Sequence, residues 1–179
     1  MAVLVEGISV IIRRKAIEEK FSGGWEAFVD DVPNQTLCAD DELARVGFMS
    51  PADVKAYVGH LEEFGLCYLS QGRAVDLVVG DQLQGPATPC DWGQFGHVNV
   101  GGDPSQRVAA CRTVGSTVKM LIFPDGWQYE GSLSQTYSFV PGEHPENGLA
   151  FQRRENNVDV YHNSLTGREM YVGRTAGKK

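Results

Sequence analysis

The chain has 179 residues, of which 42% are apolar and 22% charged, and its formal net charge is −7. A chain of this length buries a core without disulfide or metal staples, and this composition excludes disorder and fibrous repeats. The negative balance disfavours sequence-independent nucleic-acid binding and anionic membranes, and the sequence contains no apolar run of the roughly eighteen residues needed to span a bilayer.

The start, Met1 to Val5, lacks the basic flank and small-residue cleavage site of a secretory signal, so a cytoplasmic location is expected. The four cysteines, Cys38, Cys67, Cys90 and Cys111, are widely spaced and read as reduced, buried thiols. Charge is distributed unevenly. Residues 1–88 carry 14 acidic and 7 basic side chains, whereas residues 89–179 carry 9 of each, so the whole imbalance belongs to the first half.

Val5 to Arg13 carries Ile8, Val10 and Ile12 in alternation and predicts a strand. From Arg14 the pattern turns helical, breaks at Ser22-Gly23-Gly24, resumes at Trp25, Phe28, Val29 and Val32, and stops at Pro33. Gln35 to Ala39 and Leu43 to Met49, separated by Asp40-Asp41-Glu42, predict a hairpin. Ser50-Pro51-Ala52-Asp53 then opens a helix, with a hydroxyl at the cap, proline in the first turn and a carboxylate at its positive end. Val54, Tyr57, Val58, Leu61 and Phe64 share one face of it, and Gly65 supplies a left-handed stop. Leu66 to Ser70 and Ala74 to Val79 predict a second hairpin, with Asp76 as its only charge.

Two helices crossing one sheet predict an α+β protein whose N-terminal part is a split βαβ sandwich, ferredoxin-like in the broad sense, with added hairpins. The Pro/Gly-rich stretch from Gln84 to Pro104 reads as a junction or functional loop. Val108, Ala109 and Cys111 suggest a short helix. Val118 to Phe123, Leu133 to Val140, Leu149 to Arg154, Val158 to His162 and Arg168 to Val172 then predict an antiparallel meander, with Gly173 to Lys179 as a tail. The expected organisation is an acidic subdomain over 1–84, a junction over 85–104 and a β-rich part over 105–179.

Two constellations could carry function. The acidic groups Glu26, Asp30 and Asp31, then Asp40, Asp41 and Glu42, then Glu62 and Glu63, would make a negative surface for a basic protein partner. Of these, Asp40, Asp41, Glu62 and Glu63 are the chosen contact residues. His60, off the apolar stripe of its helix, is expected to sit near Glu63. The alternative is a small enzyme with a thiol-centred site formed by Cys90, Asp91 and His97, which fall within eight residues of one another. Trp92, Phe95 and Trp127 could wall a ligand pocket. No calcium-loop frame, no close Cys pair and no HExxH helix indicates a metal, and no phosphate-cradling loop or nucleophile elbow occurs, so no cofactor is expected. The reading favoured by sequence is therefore a non-enzymatic interaction or ligand-binding protein.

Overall fold

A computed structural model of the chain describes residues 1–117, 119–137, 149–155, 158–163 and 168–173, and divides it into two units, Met1–Ser138 and Phe139–Lys179. The protein is α+β. The single strand expected from Val5 to Arg13 is instead two. Gly7 adopts a positive φ of 59°, and its β-carbon position would lie 2.8 Å from the Phe48 carbonyl oxygen, so only glycine turns the chain here. The turn sends β1 (Ala2–Val5) and β2 (Ile8–Arg13) into different sheets.

After β2 come α1 (Arg14–Lys20) and α2 (Gly24–Asp31), separated by Gly23 at φ 89° with Gly24 at φ 68°. Next are β3 (Cys38–Ala39), β4 (Leu43–Phe48), α3 (Pro51–Glu63), a small hairpin of β5 (Leu69–Ser70) and β6 (Arg73–Ala74), and β7 (Leu77–Asp81). The first unit closes with β8 (Gly85–Pro86), β9 (Gly93–Asn99), β10 (Arg107–Thr113), β11 (Leu121–Ile122) and α4 (Leu133–Tyr137).

Strands order as β3-β4-β2-β7-β8 in a five-stranded antiparallel sheet and as β11-β1-β10-β9 in a four-stranded one. Alternation along the central strands assigns their faces. Val10, Ile12, Ala44, Val46 and Leu77 join Ile17, Phe28, Val54, Val58 and Leu61 of the helices in one core. Ile11, Leu43 and Val78 point the other way and join Val3, Val5, Ala109 and Cys111 in a second. The unit is thus three layers: helices, a five-stranded sheet and a four-stranded sheet. Because β2 is apolar on both faces, it contributes to both cores. Full burial of one such aliphatic side chain is worth about 2 kcal/mol.

Helix α3 follows its sequence signals closely. Pro51 opens it, Asp53 lies in its first turn, its apolar stripe is buried, and Gly65 takes φ 103° against the Lys20 carbonyl oxygen. The Ser50 hydroxyl, however, makes no cap hydrogen bond. Since β4 and β7 are both antiparallel to β2 and flank it, β4-α3-β7 is a split βαβ unit. β2 and the two-residue β3, joined through α1 and α2, likewise flank β4 and each pair antiparallel with it.

One buried charge lies between the sheets. Arg45, 2% exposed on β4, donates Nε to Ser9 Oγ at 2.9 Å, Nη1 to the Thr36 carbonyl at 3.2 Å and Nη2 to the Glu6 carbonyl at 2.7 Å. The Glu6 side chain in turn accepts from Ser134 N–H at 2.9 Å and Ser134 Oγ–H at 2.8 Å, fastening α4 beside β1.

Several expectations are corrected. Residues 107–113 form a strand rather than a helix, because pairing β10 between β1 and β9 satisfies its backbone on both sides. Leu133–Tyr137 is helical rather than extended, and Leu66–Ser70 forms only a two-residue strand at its end. The 85–104 stretch contributes β8 and β9 to the two sheets instead of a bare junction, and the chain divides after Ser138. In the second unit, β12 (Leu149–Glu155), β13 (Val158–Asn163) and β14 (Arg168–Gly173) form the expected antiparallel meander, with an irregularity between Phe151 and Arg153. The Pro141–Asn147 loop with His144, the Asn156-Asn157 turn and the 174–179 tail lie outside the described residues.

Candidate functional site

Helices α2 and α3 end on acidic pairs, Asp30-Asp31 and Glu62-Glu63. A helix C-terminus carries roughly half a negative charge, so each exposed carboxylate there opposes the helix dipole by about 0.3–1 kcal/mol. No basic residue offsets this in the last turn of α2, and only His60 does so in α3. His60 Nε2 lies 2.5 Å from Asp31 Oδ2, which ties one helix end to the other, so its partner is Asp31 rather than the expected Glu63. Beneath the pair, Phe21 stacks on Phe64 at 4.8 Å and meets Phe28 edge-on at 5.6 Å, joining α1, α2 and the end of α3. Among the described residues, Asp30, Glu62 and Glu63 are exposed and have no ion-pair partner.

Asp40 belongs to the structure of the turn, not to this surface. It is 6% exposed, its Oδ1 accepts the N–H groups of Glu42 at 2.7 Å and Leu43 at 2.6 Å, and its Oδ2 lies 3.4 Å from the Met1 ammonium. Asp41 is exposed beside Glu42, whose carbonyl accepts the N–H of Arg14 at the start of α1. Gly65, just past Glu62-Glu63, packs on Lys20 at the other end of α1. The acidic residues therefore fall into two patches at opposite ends of a seven-residue helix. At 1.5 Å per residue they are about 10 Å apart, near the Debye length at physiological salt.

The thiol constellation is placed differently. Asp91 forms a salt bridge with Arg73 through both guanidinium nitrogens Nε and Nη2, and that bond holds its carboxyl below the usual range. Cys90 lies beside Gly93 at the start of β9, whereas His97 pairs with Ala109 four residues further along the strand. Four strand residues span about 13 Å, so the arrangement does not set an imidazole against the Cys90 sulfur. Partial burial is the main cause raising the Cys90 thiol above its ordinary value, and partial burial followed by the Arg107 charge lowers His97.

The two tryptophans are also structural. Trp127 stacks on Phe123 at 4.3 Å and donates Nε1–H to the Glu6 carboxylate at 3.2 Å. The Arg13 guanidinium sits over the Trp92 ring at 5.8 Å, and Trp92, Phe95 and Trp127 all pack against the core between the sheets. A half-open cavity of about 330 Å³ lies along β9, β10 and β11, where Phe95 and His97 line it with Gln94, Arg112, Lys119 and Leu121, while neither tryptophan does. Arg112 donates Nε–H to Gln94 Oε1 at 2.9 Å, so its guanidinium is partly committed. Among the described residues, no three His, Cys, Asp or Glu side chains are grouped to hold a metal, and no helix is long and apolar enough to cross a membrane.

Sequence reasoning missed Arg45, Glu6 and the Asp31–His60 bridge. For Arg45 the available signal was a single charge inside an apolar run between Leu43 and Phe48. Comparison with protein-family models, curated proteins and solved structures returned no match.

Proposed function

We propose that this is a non-enzymatic cytoplasmic interaction protein whose acidic helix ends receive a basic surface on a partner protein. One observation carries the reading: Asp30, Glu62 and Glu63 are exposed at the C-termini of α2 and α3, where they work against helix stability. Among the described residues none of the three has an ion-pair partner, and the one hydrogen bond to their carboxylates is from Tyr68 N–H to Glu62 at 3.4 Å. Residues that break a local electrostatic rule without compensation in the fold point to function. Their carboxylates add to two negative helix ends held together by Asp31 and His60, which focuses a negative potential on one rim. Asp41 and Glu42 extend it across α1.

The test uses the full chain as bait at low ionic strength, beside a Glu62→Lys/Glu63→Lys form confirmed to be folded. The reading expects a basic protein that binds the parent stoichiometrically, is released steeply by salt and is lost by the reversed form. Retention of every bound protein by the reversed form, or binding indifferent to salt, would overturn it.

A further inference from the structure

The acidic rim leaves the thiols of the first unit without a role. Two of them are neighbours in space although 21 residues apart in the sequence. A β-carbon at Gly93 would lie 3.1 Å from Cys90 Sγ and 3.4 Å from Cys111 Sγ, so the sulfurs can be no further apart than the sum of those distances. Only a hydrogen of Gly93 stands in the space flanked by both. Cys111 is fully buried on β10, directly across the sheet from Phe95, while Cys90 is half-buried in the loop ahead of β9.

That loop is held in place on three sides. The Pro89 carbonyl accepts from Ala74 N–H at 2.9 Å, Asp91 is clasped by Arg73, and the Trp92 carbonyl accepts from Val114 N–H at 2.8 Å. The backbone N–H groups of Gly93 and Trp92 face the Cys90 sulfur and favour its thiolate, while the Asp91 charge opposes it and the Arg13 charge supports it. Thr88 Oγ1, Trp92 Nε1 and Thr113 Oγ1 are buried polar atoms with no hydrogen-bond partner among the described residues. Each belongs to a residue two positions from one of the two thiols, in a fold whose other buried polar groups are largely satisfied.

We propose that Cys90 and Cys111 are an intramolecular thiol–disulfide pair, oxidised by a hydroperoxide, with Cys90 as the attacking and Cys111 as the resolving cysteine. The Cys90 thiolate attacks one peroxide oxygen, the O–O bond breaks, and the departing hydroxide takes a proton to leave as water. Cys90 is then a sulfenic acid. The Cys111 thiolate attacks the Cys90 sulfur, the S–O bond breaks, and a second water leaves. With hydrogen peroxide, two thiols and one peroxide thus give one disulfide and two waters. Burial raises both thiols above their ordinary range, Cys111 more than Cys90, so closure accelerates with pH. The same property makes each a poor leaving group in exchange, which favours the closed disulfide once formed. The bond would join the 87–92 loop, and through Arg73 the β5–β6 hairpin, to the middle of the four-stranded sheet.

The test exposes the full chain to hydrogen peroxide, blocks remaining thiols by alkylation in denaturant, and counts and maps them by mass spectrometry. Free thiols should fall from four to two, with one Cys90–Cys111 cross-linked peptide that a dithiol reductant reverses. Gly93→Ala keeps all four cysteines but places a methyl group against both sulfurs, and it should retain four free thiols over the interval in which the parent closes. Cys90→Ser and Cys111→Ser should each abolish the cross-link, and the Gly93→Ala comparison decides the matter should the buried Cys111 variant not fold. Four thiols surviving in the parent, Cys90 passing to sulfinic acid with Cys111 still reduced, or equal closure in folded Gly93→Ala would each overturn the proposal.

Discussion

Lys20 Nζ lies 2.7 Å from one oxygen of Asp76 and 2.9 Å from the other, linking the end of α1 to the break between β6 and β7. Asp76 is almost wholly buried and also accepts Cys67 N–H at 2.8 Å, whereas Lys20 is 41% exposed. Removing the cation leaves a desolvated carboxylate with one donor. Lys20→Met should therefore destabilise the protein by about 2 kcal/mol, more than the usual cost of losing a surface ion pair. Asp76→Asn alone should also be destabilising, but Lys20→Met should cost much less in that background. Denaturant titration of the four proteins of this cycle measures the coupling; additive costs would show that the pair contributes nothing.

The acidic helix ends give a prediction in which stability and binding move in opposite directions. Reversing Glu63 to lysine puts a cation at the negative end of α3, and Asp30→Lys does the same for α2. Each should stabilise the fold by about 0.3–1 kcal/mol at low salt. Both should weaken the proposed basic partner, chiefly by slowing association. If these carboxylates were merely solvated surface, stability would rise with no loss of binding, and the interaction reading would fail.

How far the sequence could be read depended on whether the deciding interactions were local. Helix α3 was legible because proline, a first-turn carboxylate, an apolar stripe and a terminal glycine act within a few residues. The meander from Leu149 to Gly173 was legible through alternation and turn residues. Residues 107–113 misled because Val108, Ala109 and Cys111 fit a helical spacing as well as a strand. Their fate was settled by β1, more than a hundred residues away, and by β9. The site divides in the same way. Glu62 and Glu63 lie on the surface where helix periodicity places them, but Asp40 was claimed by its own turn. The proximity of Asp31 to His60, and of Cys90 to Cys111, arises from packing between elements and leaves no local pattern.

His97 should titrate below its ordinary value of 6.5, since partial burial and then the Arg107 charge both disfavour the imidazolium. Between its folded pKa and 6.5 the unfolded chain binds more protons at this site than the folded one. Stability from His97 is therefore complete above 6.5 and is lost as pH falls through that window. Proton NMR of the ring should show the lowered midpoint, and Arg107→Gln should move it upward by part of the difference. A midpoint at or above 6.5 in the parent would contradict this placement of the ring.

Gly47 exists where it does because of Arg45. A β-carbon at Gly47 would come within 2.7 Å of Arg45 Cζ and 2.9 Å of its Nη1, so the guanidinium occupies the space that any other residue would fill. Arg45→Leu removes three hydrogen bonds from the layer between the sheets; Ser9 Oγ and the Glu6 carbonyl keep their bond to each other, but the Thr36 carbonyl loses the guanidinium, a total loss of about 3 kcal/mol. Gly47→Ala in the parent should cost about 1–3 kcal/mol through overpacking. In the Arg45→Leu background the obstructing group is gone, so the same alanine should cost less than about 1 kcal/mol and could stabilise by reducing the freedom of the unfolded chain. Thermal or denaturant unfolding of the two single variants and the double variant checks this. An equal cost of Gly47→Ala in both backgrounds would mean that Gly47 is required by its own backbone rather than by the arginine.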